Sequence, residues 1–186
     1  EIPAVGYGTY LTSEKDDGTV AAALAAGYRH FDTASFYGTE QALGDALKAA
    51  GVPREELFLT SKLWKDEMGY ENALAAFERS LQKLGTDYLD LYLIHWPRTD
   101  DLTAEWRQLD RDTWRALEEL YRAGRVRAIG VSNFLPHHLR NLMETAEIAP
   151  MVNQIEFHPG YPQTWNVEFC KAHGILPEAW SPLGRT

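Results

Sequence analysis

Short apolar runs alternate with longer amphipathic stretches along the whole chain. The runs at 4–8, 28–32, 57–62, 89–96, 127–132, 151–157 and 175–180 read as strands, bounded by turn formers and rich in branched and aromatic residues. Between them, 17–26, 39–50, 70–84, 104–123, 135–146 and 164–173 read as helices. In 70–84, Leu74, Phe77, Leu81 and Leu84 recur at spacings of three and four, which lines up one apolar face. Gly27, Gly51, Gly85, Gly124 and Gly174 each follow a predicted helix, where a left-handed glycine commonly ends it. No linker or low-complexity segment interrupts the series, so residues 1–186 are expected to form one domain.

Strict alternation of strand and helix implies parallel strands joined by right-handed crossovers. An open doubly wound sheet and a closed eight-stranded barrel both satisfy it. The dinucleotide fingerprint of the open sheet, G-x-G-x-x-G after the first strand, is absent, and "GYGTYL" only echoes it. The polar residues favour the barrel. Asp32, Lys62, His95, Ser132, Asn133, Gln154, Trp180 and Ser181 fall at or near the C-terminal ends of successive strands. In a barrel those ends ring one mouth, where barrel enzymes place their chemistry. The pattern stops at "SPLGRT" after the seventh strand. The expectation is therefore a (β/α)8 TIM barrel with seven strands represented, its last helix–strand–helix lying outside the given chain. Pro177 within the last strand is an oddity, since proline cannot donate to a sheet ladder.

Composition narrows the partners. Hydrophobic residues at 45% and charged residues at 24% are ordinary for a globular domain. A net charge of −9 argues against nucleic acid, which needs a basic face. No apolar run is long enough to cross a membrane. Cys170, the single cysteine, has no internal disulfide partner, which fits a reducing compartment and a cytoplasmic location. A small molecule is the expected partner, and a monomer or weak oligomer the expected assembly.

Each candidate functional residue has an ordinary explanation when taken alone. Asp32 could cap a turn, Tyr37 could be packing, Lys62 could extend to solvent, and His95 could be a core histidine. Together their types are complementary. A phenol titrates near pH 10, too high for easy proton donation at neutrality. A neighbouring ammonium, Lys62, would lower that value, and Asp32 would hold the ammonium in place. His95 would orient a carbonyl oxygen. This set suits protonation of an oxygen that becomes negative as hydride reaches carbon. None of these side chains is a hydride source, so a nicotinamide cofactor is implied. Ser132, Asn133 and Gln154 suit its carboxamide, and Trp180 offers an aromatic plane for the ring.

At this point "YRHFDTASFYG" with Glu40, "TSKLW", "LYLIHWP", "IGVSNF", "NQIEFHP" and "AWSPLG" together resemble the aldo-keto reductase family, in family order over residues 1–184. The resemblance implies Tyr37 as general acid, with Lys62, Asp32 and His95 completing a tetrad. It implies nicotinamide-side contacts from Gly8, Thr9, Tyr10, Asp32, Ser132, Asn133, Gln154, Trp180, Ser181, Pro182 and Leu183. It implies a substrate pocket of Tyr10, Trp64, His95 and Trp96, with no metal. The implied activity is NADPH-dependent reduction of aldehydes and ketones to alcohols. The segment that holds the cofactor's 2′-phosphate in the family has no counterpart here, so NAD(H) is not excluded. Trp180, where many members carry tyrosine, is similar to the prokaryotic branch that includes 2,5-diketo-D-gluconate reductases.

Two rival readings remain. A metal-dependent barrel hydrolase is suggested by His30, Asp32, His95 and His158, although no second carboxylate or histidine pair completes a ligand set. A catalytically silent nicotinamide-binding barrel that senses redox state would have no need of all four tetrad residues.

Overall fold

A computed structural model describes residues 1–12, 18–98 and 105–184. Its elements run β1 (Gly6–Gly8), α1 (Thr19–Ala25), β2 (His30–Asp32), α2 (Glu40–Ala50), β3 (Phe58–Leu63), α3 (Tyr70–Leu84) and β4 (Leu89–Ile94). They continue with α4 (Glu105–Arg122), β5 (Val126–Ser132), α5 (Pro136–Met143), β6 (Val152–Glu156), α6 (Thr164–Ala172) and β7 (Leu176–Trp180). The expected elements are all present, with ends shifted by up to three residues. The predicted starts at 17 and 104 lie outside the described residues. β4 ends at Ile94, short of the predicted 96, because Pro97 has no N–H to continue a ladder. His95 still donates its backbone N–H to Leu63 O at 3.1 Å, so it stays pinned to the strand end.

The strands form one parallel sheet in sequence order, β1 to β7. That sheet is curled. In a flat sheet β2 and β6 would stand about 19 Å apart, four strand spacings. Here Gln154 of β6 donates to Asp32 of β2 at 2.8 Å, across the inside of the curl. The geometry is a barrel wall, as expected from the ring of polar strand ends.

Alternation along each strand separates two cores. One face of the sheet packs Phe31, Tyr92, Ile94 and Val131 beneath helix residues such as Phe77, Trp114 and Leu117. The other face buries Leu91, Leu93 and Val152 in a smaller cluster inside the curl. Asp32, Lys62, His95, Ser132, Gln154 and Glu178 continue the inward series, two residues at a time, towards the C-terminal ends. Close helix packing places one strict demand on the sequence. A Cβ on Gly44 of α2 would lie 2.6 Å from Lys83 O of α3, so only glycine permits this approach.

The Pro177 oddity has a local explanation. Leu176 N–H donates to Met151 O of β6 at 2.9 Å, so the nitrogen of the next residue faces away from β6. β7 pairs only with β6 among the described residues, and the missing N–H falls on the side away from that pairing.

Candidate active site

β2 and β3 bring the first charged pair together. Lys62 is fully enclosed at 1% exposure, and its ammonium contacts Asp32 Oδ1 directly and Thr33 O at 3.1 Å. Burial would drive off its proton, but Asp32 above all, then Tyr37, outweighs it and holds the Lys62 pKa above the ordinary value. Lys62 is therefore charged at physiological pH. The chain leaves β2 through a single 3-10 turn, Ser35–Tyr37, and reverses at Gly38, whose φ of +73° favours glycine. That turn lowers Tyr37 over the pair. Its hydroxyl lies 3.4 Å from Lys62 Nζ and 3.5 Å from His95 Nε2.

The phenol departs from one expectation. Lys62 does pull its pKa down, but burial is the larger effect and Asp32 opposes Lys62, so the Tyr37 pKa is raised rather than lowered. Much of the lysine's charge is answered by Asp32 before it reaches the tyrosine. Tyr37 accordingly keeps its proton at neutrality, with the Lys62 ammonium 3.4 Å from its oxygen. His95 is pushed down to about 3 by burial and by Lys62, so its imidazole is neutral.

Around this centre opens a cleft that continues from the mouth down between β1 and β7, the two edges of the sheet. Tyr10, Trp64, His95 and Trp96, the expected pocket residues, all line it. So does Phe36, which the sequence reading passed over and which stacks on Trp64 at 3.9 Å. Glu67 fixes that wall by accepting bonds from Ser35 Oγ at 2.5 Å and Trp64 N at 2.9 Å. Glu40, part of the opening motif, instead turns to the outside of the wall, where it accepts from Ser61 at 2.7 Å.

The expected cofactor residues gather on the opposite side. Asn133, at φ +62°, donates to Ser132 Oγ and His95 O at 3.0 Å each and accepts from Trp180 Nε1 at 2.9 Å, which fixes the indole. Gly8, Ser132, Gln154, Ser181 and Pro182 also line the cleft. Thr9 does not. It is buried beneath the rim, with its backbone N–H donating to Asp32 O at 2.9 Å. Leu183 points to solvent at 98% exposure.

Glu178 of β7, absent from the sequence reading, completes the interior. It accepts from Gln154 Nε2 at 2.9 Å, while the same nitrogen donates to Asp32. It supplies the second carboxylate that the hydrolase reading lacked, since His30, Asp32 and Glu178 each bring an atom within 4.8 Å of the others. The Lys62 ammonium already occupies Asp32, however, and a metal ion there would face a fixed positive charge. His158, the other histidine of that reading, lies instead beside Glu156 at 3.4 Å.

The curled parallel sheet thus brings Asp32, Tyr37, Lys62 and His95 together at one mouth, as the sequence led one to expect. The family model of the aldo/keto reductases matches residues 4–186, and the chain belongs to that family. Its relatives include the glyoxal reductase of Bacillus subtilis, 52% identical over 185 residues, covering 98% of this chain and 64% of that protein. An aldo-keto reductase from a deep-sea metagenome library superposes with a TM-score of 0.91 at 48% identity, over 98% of this chain and 65% of that one. The Bombyx mori aldo-keto reductase in complex with NADP gives 0.84 at 37% identity, over 97% and 62%. The chain thus spans just under two thirds of the length of the curated relatives it matches first.

Proposed function

We propose that the chain carries the catalytic barrel of an NADPH-dependent reductase of aldehydes and ketones. The observation that carries this reading is the Tyr37 hydroxyl set between Lys62 Nζ at 3.4 Å and His95 Nε2 at 3.5 Å. The glyoxal reductase relative and the NADP-bound neighbour support the substrate class and the cofactor.

The residues fit a nicotinamide. Both hydrogens of Gln154 Nε2 are committed, so its amide oxygen is left as an acceptor, and with the Asn133 side-chain carbonyl, also on the cleft wall, it suits a carboxamide N–H₂. Trp180, fixed through its Nε1, offers an aromatic face lining the cleft. A reduced nicotinamide, when bound, supplies the hydride. The chain does the rest. His95, neutral, donates from Nε2 and steers the carbonyl oxygen towards Tyr37. As negative charge builds on that oxygen, the Tyr37 phenol gives up its proton and the product is the alcohol. Lys62 stabilises the phenolate until solvent restores the proton.

Tyr37→Phe is expected to lower kcat/KM for carbonyl-dependent NADPH oxidation by ~10³-fold. NADPH binding, followed by cofactor fluorescence, should change little. Glyoxal, methylglyoxal and keto-sugar acids form the substrate panel. Near-normal turnover in the variant would defeat the mechanism. Cofactor binding without turnover in the unmodified protein would favour a silent, redox-sensing barrel.

A further inference from the structure

Glu178 is a half-buried ionisable group lining the cleft that the reductase chemistry leaves without a task. Three observations meet at it. The two hydrogens of the Gln154 amide nitrogen are divided between Asp32 Oδ2 at 2.8 Å and Glu178 Oε1 at 2.9 Å. The other carboxyl oxygen of Glu178, Oε2, is buried with no hydrogen-bond partner among the described residues. The groups facing the carboxyl are His30 and Asp32 on β2, Lys62 on β3 and the neutral Gln154 on β6. We propose that Glu178 is a positioning residue of the acid site: with Asp32 it locks the Gln154 amide in one orientation, and the charge on its own carboxyl sets how strongly Lys62 supports the Tyr37 phenolate.

The amide lock follows from charge. Flipping Gln154 would turn its oxygen towards two carboxyl groups at once, so the nitrogen stays inward and the oxygen faces the cleft. The charge control follows from the facing groups. Burial lowers the His30 pKa, which leaves Lys62 as the only cation of the set, and Asp32 already engages it. Burial foremost, and the negative charge of Asp32 after it, push the Glu178 carboxyl up to about 7. Below that pH the unpartnered oxygen carries a proton, and Lys62 answers one carboxylate. Above it Lys62 answers two, and less of its field is left for Tyr37. Ionisation of Glu178 therefore strengthens the hold of Tyr37 on its proton and disfavours the phenolate.

The consequence for turnover rests on the reductase reading, but the test need not. The tyrosinate absorbance of the purified protein, with Tyr37→Phe subtracted, gives the Tyr37 titration directly. Glu178→Gln keeps the acceptor for Gln154 and removes the charge, so the Tyr37 midpoint is expected to fall by about one pH unit, a tenfold change in proton affinity. A second measurement reads the Glu178 carboxyl itself. The infrared band of a protonated carboxyl should titrate near pH 7 in an Asp110→Asn background, since Asp110 also titrates near there. That band should vanish when Glu178→Gln is added. An unmoved Tyr37 midpoint, or no carboxyl titrating between about pH 6 and 8, would overturn the proposal. Expected titrations with no carbonyl-dependent turnover would uphold the proposal and sink the reductase reading instead.

Discussion

Both ends of the barrel bury an aspartate against cations, and they do so to different effect. At the end away from the mouth, Asp90 of β4 is saturated. Arg54 donates to Oδ2 at 2.7 Å, Arg127 to Oδ1 at 2.9 Å, and Leu59 N–H adds a third bond at 3.0 Å. Planar guanidinium groups and a backbone amide leave it nothing to exchange. At the mouth, Asp32 meets the compact ammonium of Lys62, and that ammonium still reaches Tyr37. Buried charge alone therefore does not mark the functional end. What distinguishes the mouth is a cation with a second, weaker contact pointed at a group that can give up a proton. The division agrees with the general habit of barrels, in which the C-terminal ends of the strands carry chemistry and the N-terminal ends carry stability.

Substitutions at the two ends should separate these roles. Lys62→Met should lower kcat/KM at least ~10²-fold and also destabilise the fold by about 2 kcal/mol, because the partly buried Asp32 carboxylate loses its counter-charge. Urea unfolding and steady-state kinetics on the same sample would check both effects. Asp90→Asn should destabilise by about 2 kcal/mol while leaving kcat within about twofold of the parent. A large fall in kcat there would mean that the two ends are coupled and would break the contrast.

Asp110 on α4 gives a third case, with no cation partner among the described residues. Its Oδ1 accepts Arg98 N–H at 3.0 Å, its Oδ2 has no hydrogen-bond partner among the described residues, and burial pushes its pKa up to about 7 from an ordinary 3.8. A raised carboxyl pKa means stability that is complete below about pH 4 and is lost as pH rises through 7. The parent should therefore lose on the order of 3 kcal/mol between those limits that Asp110→Asn does not lose. Parallel slopes for the two proteins would show that Asp110 ionises normally.

Much of this was legible in the sequence, for reasons that can be named. Asp32, Lys62, His95 and Ser132 sit at or near the end of an apolar run and Gln154 within the upper half of one, so strand periodicity alone aims them at one mouth. Trp64 and Trp96 follow the same strands by a residue or two. Glu178 escaped because "ILPEAW" reads as a strand with a proline fault, and nothing local says that Gln154, twenty-four residues earlier, points at it. The clue was its parity. Glu178 lies two residues before Trp180, on the face that already carried a functional assignment. The direction of the Tyr37 shift was misread for a different reason. A sequence shows which charges neighbour a phenol but not how deeply the phenol is buried, and here depth decides.

Pro177 has a consequence beyond its own strand. On the side of β7 turned away from β6, the backbone nitrogens belong to positions 177 and 179, and the first carries no hydrogen. The strand that completes the expected barrel would find a lone donor there, at Ala179, so the seam it forms with β7 holds one backbone hydrogen bond fewer than a seam without proline.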